Sequence, residues 1–377
     1  MVDLQKSREE IDRIDKEIVR LFEQRMEVAK DVAEYKIQVG KKVFDKEREA
    51  DKLESLRNLA HNDFNRHGVH ELFAQIMSMS RKLQYGLIHS KEETIRFLAQ
   101  DTLPLNKDSK IVYFGVKGSY TEQAMEEYFG EDIESFNALT FKEVMEAVSE
   151  GKAHYGILPI ENSSTGGITD IYDLLDEYDN YIVGQHILKI DQALLGLEGA
   201  AIEQLTKVYS HPQGLLQCSK FLDEYENIKR IEYPSTAASA LKVVEDKDLT
   251  QGAIASVRAA QCYGLKVLKE NINYNTANST RFIVITNQKI FLKTANKISI
   301  CFELPHESGS LYNMLSHFIY NNLNLTQIES RPIVGKSFEY RFFVDIEGNL
   351  NDPGVQNALL GVKEEATRLK ILGNFLS

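Results

Sequence analysis

The position of the prolines constrains this chain most. All seven lie at 104, 159, 212, 234, 305, 332 and 353, so the first 103 residues have none, and only Gly40, Gly68 and Gly86 punctuate that stretch. Proline inside a helix removes a backbone hydrogen bond and costs about 3 kcal/mol, so a long proline-free stretch reads as long helices. Ile11, Ile14, Ile18, Leu21, Val28 and Val32 are spaced by three, four or their sums, which predicts one helix from about residue 4 to 38. A second is expected from Asp45 to about Asn65 and a third from Val69 to about Ile88.

From Ile111 the pattern changes. Short apolar runs alternate with amphipathic ones: "IVYFG" then "TEQAMEEYF", "YGILPI" then "ITDIYDLL", "KVYS" then "GLLQCSKFL", "GAIAS" then "VRAAQCYG". That alternation predicts α/β architecture with a parallel sheet. A third pattern begins near Lys297 and reads βαββαβ, the order of a ferredoxin-like sandwich. A length of 377 residues suits two to four domains. The expected organisation is multidomain, α then α/β then α+β: an all-helical domain over 1–90, a linker over 91–109, an α/β domain over 110–290 and an α+β domain over 296–374.

Charge and cysteine content narrow the function. With 56 acidic and 44 basic residues the net charge is −12, which argues against a nucleic-acid partner and requires any anionic ligand to meet locally concentrated Arg or Lys. Cys218, Cys262 and Cys301 are far apart and match no metal-ligand spacing. Reduced thiols are expected, with no metal and no cofactor. No apolar run is long enough to cross a membrane, so a cytoplasmic protein without a membrane partner is expected.

Charged groups interrupt the helical stripes. The missing step in the first stripe is Arg25, and a buried arginine is costly unless it meets an anion. Lys36 lies 11 residues on, about 20° from the same face and about 16 Å along the axis. In the third helix the stripe of Leu72, Phe73, Ile76, Leu83 and Leu87 also carries Ser80 and Gln84. Arg8 is 17 residues from Arg25, about 25 Å away and roughly 100° round the helix. It cannot hold the same small ligand within one helix. A functional Arg8 therefore implies a second copy and a homodimer of intertwined helices. Taken singly, each such charge is also explained by a side chain that snorkels to solvent.

The set as a whole, in "SREEID", "EQRMEVA", "EYK", "VFDKERE" and "MSRKLQ", resembles the all-helical chorismate mutase family. The resemblance implies binding residues Arg8 (from the partner), Arg25, Lys36, Asp45, Arg48, Glu49, Ser80 and Gln84. That reaction rearranges the dicarboxylate chorismate to prephenate with no nucleophile or proton transfer. The protein must select a folded conformer and stabilise charge at the breaking ether bond. The arginines would bind carboxylates, Lys36 and Gln84 the ether oxygen, and Glu49 a ring hydroxyl.

The α/β segment offers loops "GVKGSYT" (115–121), "PIENSSTGG" (159–167), "SHPQG" (210–214) and "IASVRAA" (254–260). Ligands of α/β sheets bind at such strand-to-helix loops, although helix capping explains any one Ser or Thr. With "NSTRF" (278–282) these loops resemble prephenate dehydratase. The resemblance implies a two-lobed, periplasmic-binding-protein-like fold with prephenate in the cleft. It further implies Thr280 as donor to the departing hydroxyl, Arg281 as carboxylate anchor, and Ser119, Tyr120, Thr121, Glu161, Asn162, Ser163, His211, Gln213 and Ser256 around the ring. Either neighbours polarise Thr280, or Glu161 or His211 supplies the proton.

In the last segment "ESRP" (Glu329, Ser330, Arg331, Pro332) matches the effector motif of ACT domains, while "GSLY" (Gly309, Ser310, Leu311, Tyr312) departs from the usual Gly-Ala-Leu-Val. L-phenylalanine is the implied effector and a homodimer or higher oligomer the implied assembly. The expected function is conversion of chorismate to prephenate and on to phenylpyruvate. The alternatives are a dehydratase preferring arogenate and a non-catalytic small-ligand sensor.

Overall fold

The computed structural model of the protein describes residues 2–88 and 97–377. They form two compact units, one of residues 2–88 with 301–370 and the other of residues 97–300 with 371–377. Part of the expected linker lies outside the described residues.

The first unit opens with α1 (Leu4–Val39), α2 (Lys46–Arg57) and α3 (Asp63–Ile88). Asp3 caps α1 by accepting from the N–H groups of Gln5 and Lys6, and Gly40 ends it in the left-handed conformation (φ 65°). The expected boundary between the second and third helices is corrected: α2 stops at Arg57 and α3 starts six residues before Val69. Asn62 Oδ1 accepts from Asn65 N (2.8 Å), a cap the spacing of apolar residues does not reveal.

The α1 stripe is a second correction. Ile11, Ile14, Ile18, Leu21 and Val28 are 44–60% exposed, while Ala29 and Ala33 are the buried residues. At 36 residues against 26, α1 is about 15 Å longer than α3 and outruns it.

The second unit has two lobes. Its elements are β1 (Leu98–Gln100), β2 (Lys110–Phe114), α4 (Tyr120–Phe129), β3 (Glu134–Ala138), α5 (Phe141–Ser149), β4 (Tyr155–Asn162), β5 (Gly166–Gly167), α6 (Thr169–Glu177), β6 (Tyr181–Lys189), β7 (Ala193–Gly196) and β8 (Lys207–Ser210). They continue with α7 (Pro212–Gln217), α8 (Ser219–Leu222), β9 (Lys229–Glu232), α9 (Thr236–Asp246), β10 (Gln251–Ala255), α10 (Val257–Tyr263), β11 (Lys266–Lys269), β12 (Ser279–Thr286) and β13 (Ile290–Leu292). One lobe carries strands in the order β6-β12-β4-β2-β3, the other β11-β7-β10-β8-β9. The sheets are mixed rather than parallel. Strands β2, β3 and β4 run parallel, as do β8, β9 and β10, but β12 is antiparallel to β4 and β6, and β7 to β10 and β11. The chain leaves the first lobe after β6, enters the second along β7 and returns along β12, and β7 and β12 supply the antiparallel members.

The pairing of β12 with β4 is irregular at one point. Phe282 faces Pro159, but Arg281 faces Glu161 and Thr280 faces Asn162, so the register slips by one residue beside the proline. Proline has no N–H for the ladder, and the resulting bulge puts Asn162 on the face shared by Thr280 and Phe282. Phe282 on that face belongs to a core with Ile111, Met125, Ile157 and Val284.

The remaining elements are β14 (Lys297–Glu303), α11 (Ser310–Tyr320), β15 (Leu325–Pro332), β16 (Tyr340–Glu347), α12 (Pro353–Glu365) and β17 (Arg368–Phe375), in the sheet order β15-β16-β14-β17. The βαββαβ order is as expected. Within the first unit, α3 packs against α1, α2 and α12. That arrangement buries Met77, Ser80, Arg81, Lys82, Gln84 and Tyr85 along α3, including two charges that the expected stripe did not contain.

Candidate active sites

The first cluster sits among α1, α2 and α3. Arg25 on α1 donates to Ser80 Oγ on α3, and Ser80 Oγ donates to the Ile76 carbonyl (3.1 Å). Lys36 Nζ donates to the carbonyl of Val43 (2.5 Å), which closes the α1–α2 loop and leaves two ammonium hydrogens for other acceptors. Gln84, one turn beyond Ser80, is buried, and its Oε1 has no hydrogen-bond partner among the described residues. Asp45 caps α2 by accepting from Arg48 N (3.2 Å).

Electrostatics tie these groups together. Burial lowers the pKa values of Arg25 and Lys36, and the Glu49 carboxylate works against both shifts. Glu49 itself is pushed up by burial, opposed by Arg81, Lys36 and Arg25. The charges of Asp45 and Arg48 are also felt at Lys36. The structure thus gathers Arg25, Lys36, Asp45, Arg48, Glu49, Ser80 and Gln84. Arg8 is exposed near the far end of α1 and is not brought in.

The second cluster lies at the strand ends of the two lobes. Asn162 Nδ2 donates to Thr280 Oγ1 (2.9 Å) and to Asn278 Oδ1 (2.9 Å), and Thr280, Asn162 and Asn278 are all buried. Ser164 Oγ donates to Asn278 Oδ1 (3.1 Å). Gln213 Nε2, from the other lobe, reaches Thr165 Oγ1 at 3.1 Å and spans the cleft. Ser163 Oγ accepts from Ser279 N (2.9 Å). Arg281 takes the opposite face of β12 from Thr280 and bonds Glu161 through Nε (3.2 Å) and Nη2 (3.1 Å), so Glu161 is committed to Arg281 and not to Thr280.

Other expected residues serve structure. Ser119 caps α4 through Glu122 N (3.2 Å), and Ser256 caps α10 through Ala259 N (3.0 Å). Thr121 is buried in the first turn of α4. Tyr120 turns its hydroxyl to the Asp191 carbonyl (2.8 Å). His211 caps α7, its Nδ1 accepting from Gln213 N (3.3 Å), which leaves Nε2 to carry the ring proton. Desolvation draws His211 below the ordinary imidazole value, partly offset by Glu232.

In the C-terminal segment Gly309 (φ 80°) precedes α11, and Ser310 Oγ donates to the Glu307 carbonyl (2.9 Å). Glu329, Ser330, Arg331 and Pro332 lie on β15 at the sheet end, with Ser330 and Pro332 exposed. Sequence reasoning passed over Arg81, Ser164, Thr165 and Asn278. The small polar runs "NSST" and "ANSTR" contain three of them, and "MSRKLQ" the fourth.

Two family matches divide the sequence. Residues 7–85 match Chorismate mutase type II and residues 111–290 match Prephenate dehydratase. A bifunctional chorismate mutase/prephenate dehydratase of Aquifex aeolicus is 34% identical over 379 aligned positions, covering 100% of this chain and 98% of the relative. The chain belongs to the bifunctional chorismate mutase/prephenate dehydratase family. The relative of that description from Escherichia coli K12 is also 34% identical, covering 98% of this chain and 95% of its own length. A solved prephenate dehydratase of Arthrobacter aurescens, described in complex with L-Phe, is 29% identical with a TM-score of 0.67, covering 71% of this chain and 90% of that one. As a bifunctional chorismate mutase/prephenate dehydratase, this chain converts chorismate to prephenate and prephenate to phenylpyruvate in L-phenylalanine biosynthesis. The reading as a non-catalytic sensor falls with that assignment.

Proposed function

We propose that the helical cluster is the chorismate mutase site and the Thr280 cluster the prephenate dehydratase site, with the partner's Arg8 joining the first. In the mutase, Arg25, Arg48 and the partner's copy of Arg8 bind the two carboxylates, Asp45 and Ser80 orient them, and Glu49 accepts from the ring hydroxyl. Lys36 and Gln84 donate to the ether oxygen as charge develops there. Buried donors aimed at that oxygen supply the acceleration without any proton transfer. The exposed stripe of α1 supports a homodimer, since an unpaired apolar face of that length fits a second copy and gives Arg8 a ligand to reach.

In the dehydratase, prephenate loses its ring carboxyl as CO2 and its ring hydroxyl as water. The observation that carries the assignment is the Asn162 amide bonded to Thr280 Oγ1 at 2.9 Å. It fills one acceptor site and polarises the hydroxyl, leaving the Thr280 O–H to donate to the departing oxygen. His211, neutral near pH 7 on its lowered pKa, serves as a hydrogen-bond donor through Nε2 and not as the acid. Arg281, paired with Glu161, sets that loop and brings a cation to the site for a substrate carboxylate. Thr280→Ala should lower dehydratase kcat by about a hundredfold or more, with Thr280→Ser retaining most of it and mutase turnover unchanged. Equal rates for Thr280→Ala and the parent chain would refute the assignment.

The C-terminal segment we read as a ferredoxin-like ACT domain that takes L-phenylalanine between Gly309–Leu311 and Glu329–Pro332. Its support is "ESRP" on an exposed end strand and the L-Phe complex of the Arthrobacter dehydratase.

A further inference from the structure

Arg81 is a cation with two anionic partners drawn from distant parts of the sequence. Its Nη1 pairs with Glu49 of α2, and its Nε donates to Glu365 Oε1 at 2.9 Å, at the end of α12. The guanidinium also lies 4.8 Å from the centre of the Phe44 ring. Arg81, Glu365 and Glu49 have side chains only 8%, 9% and 23% exposed, so a change at one leaves an uncompensated charge in a largely dry site.

The neighbouring residue of α12 holds the same loop from another side. Glu364 Oε2 accepts from the backbone N–H of Phe44 (3.0 Å) and from the Tyr85 hydroxyl (3.2 Å). Lys36 Nζ meanwhile binds the carbonyl of Val43 (2.5 Å). The turn that delivers Asp45, Arg48 and Glu49 is therefore fastened by α1 on one side and by the last two residues of α12 on the other. His317 of α11 stands behind the pair, its Nε2 3.1 Å from Glu365 Oε1, at ion-pair distance though not aligned as a hydrogen bond. Gly361 makes room for that ring: a Cβ there would come within 2.4 Å of it. A glycine inside a helix costs about 1 kcal/mol relative to alanine, and here it lets an imidazole reach Glu365.

Resting on the proposed mutase site, we propose that Glu365 and Glu364 of the C-terminal segment are positioning residues for chorismate rearrangement, Glu365 acting through Arg81 to fix the Glu49 carboxylate and Glu364 fixing the Phe44 backbone. The mutase site is then completed by a residue that lies 280 positions beyond the end of the family match at residues 7–85 (365 against 85). Burial opposes the charge on Glu365, but His317 and Arg81 outweigh it and hold the carboxyl below its ordinary value, so the anion persists where Arg81 needs it.

The test uses the full chain and reads both activities. Glu365→Gln keeps the shape of the side chain and removes its charge. Mutase kcat/KM should fall between about tenfold and a hundredfold, mostly through KM for chorismate, with dehydratase turnover of prephenate unchanged. In an Arg81→Met background the same Glu365→Gln change should shift mutase kcat/KM by less than about threefold, because its route has been removed. Should Glu365→Gln fail to fold, Arg81→Lys, which keeps the charge and cannot span both carboxylates, carries the same expectation. Parental KM and kcat in Glu365→Gln, or effects of the two substitutions that simply add, would overturn the proposal. Glu49→Gln run alongside separates the two readings: if it leaves the mutase intact, the site assignment itself is wrong, whereas its loss with an unaffected Glu365→Gln removes only the present inference.

Discussion

Lys82 follows Arg81 on α3 and carries a charge that the fold penalises. Burial pulls its pKa from 10.5 to about 8, with Glu365 opposing, although its ammonium donates to Ser316 Oγ (2.8 Å). Below about pH 8 both folded and unfolded chains hold the proton and the full penalty applies. Between pH 8 and 10.5 the unfolded chain binds more protons than the folded one, so stability gains from this residue as pH rises. Lys82→Met should raise the unfolding temperature over the parent chain most below pH 8, with the gain shrinking toward pH 10.5. A gain that does not change with pH would show that desolvation of the charge is not the cause. At this scale the sequence was legible by residue type, since Arg25, Lys36, Glu49, Ser80, Gln84, Asn162 and Thr280 all lie in the clusters expected of them. Partners were not legible. The Glu161–Arg281 pair, the caps at Ser119 and Ser256, and the double pairing of Arg81 depend on register and on segments far apart in sequence.

Among the elements, α1 carries the plainest prediction. Its exposed Ile14 and Ile18 lie on a face that no other part of the described chain covers to the depth expected of core. Ile14→Glu with Ile18→Glu should convert a dimer to monomers in sedimentation, lower mutase kcat/KM by roughly a hundredfold through loss of the partner's arginine, and spare the dehydratase. An unchanged sedimentation coefficient would show that this stripe is not the interface. The ends of α1 are marked by Asp3 and Gly40, strong local signals, whereas the start of α3 was misplaced because Gly68 inside the helix reads as a break and the Asn62 cap was passed over. The antiparallel strands were missed for a different reason. Periodicity reports which residues alternate, and strand direction is set by where the chain crosses between lobes.

The whole molecule carries two enzymatic segments on one chain, each matching its own family. Their order was legible because the proline-free helical stretch, the strand-helix alternation and the quoted motifs each occupy their own part of the chain. What the sequence hid is the packing of α12 against α3, which no local pattern encodes. Chorismate, and separately prephenate, should be given to the Gln84→Ala chain, to the Thr280→Ala chain and to an equimolar mixture, with prephenate and phenylpyruvate quantified. Gln84→Ala should turn over prephenate but not chorismate, Thr280→Ala should accumulate prephenate from chorismate, and only the mixture should make phenylpyruvate from chorismate. Loss of both activities in either folded variant, or a mixture that yields no phenylpyruvate from chorismate, would show that the two sites are not separate.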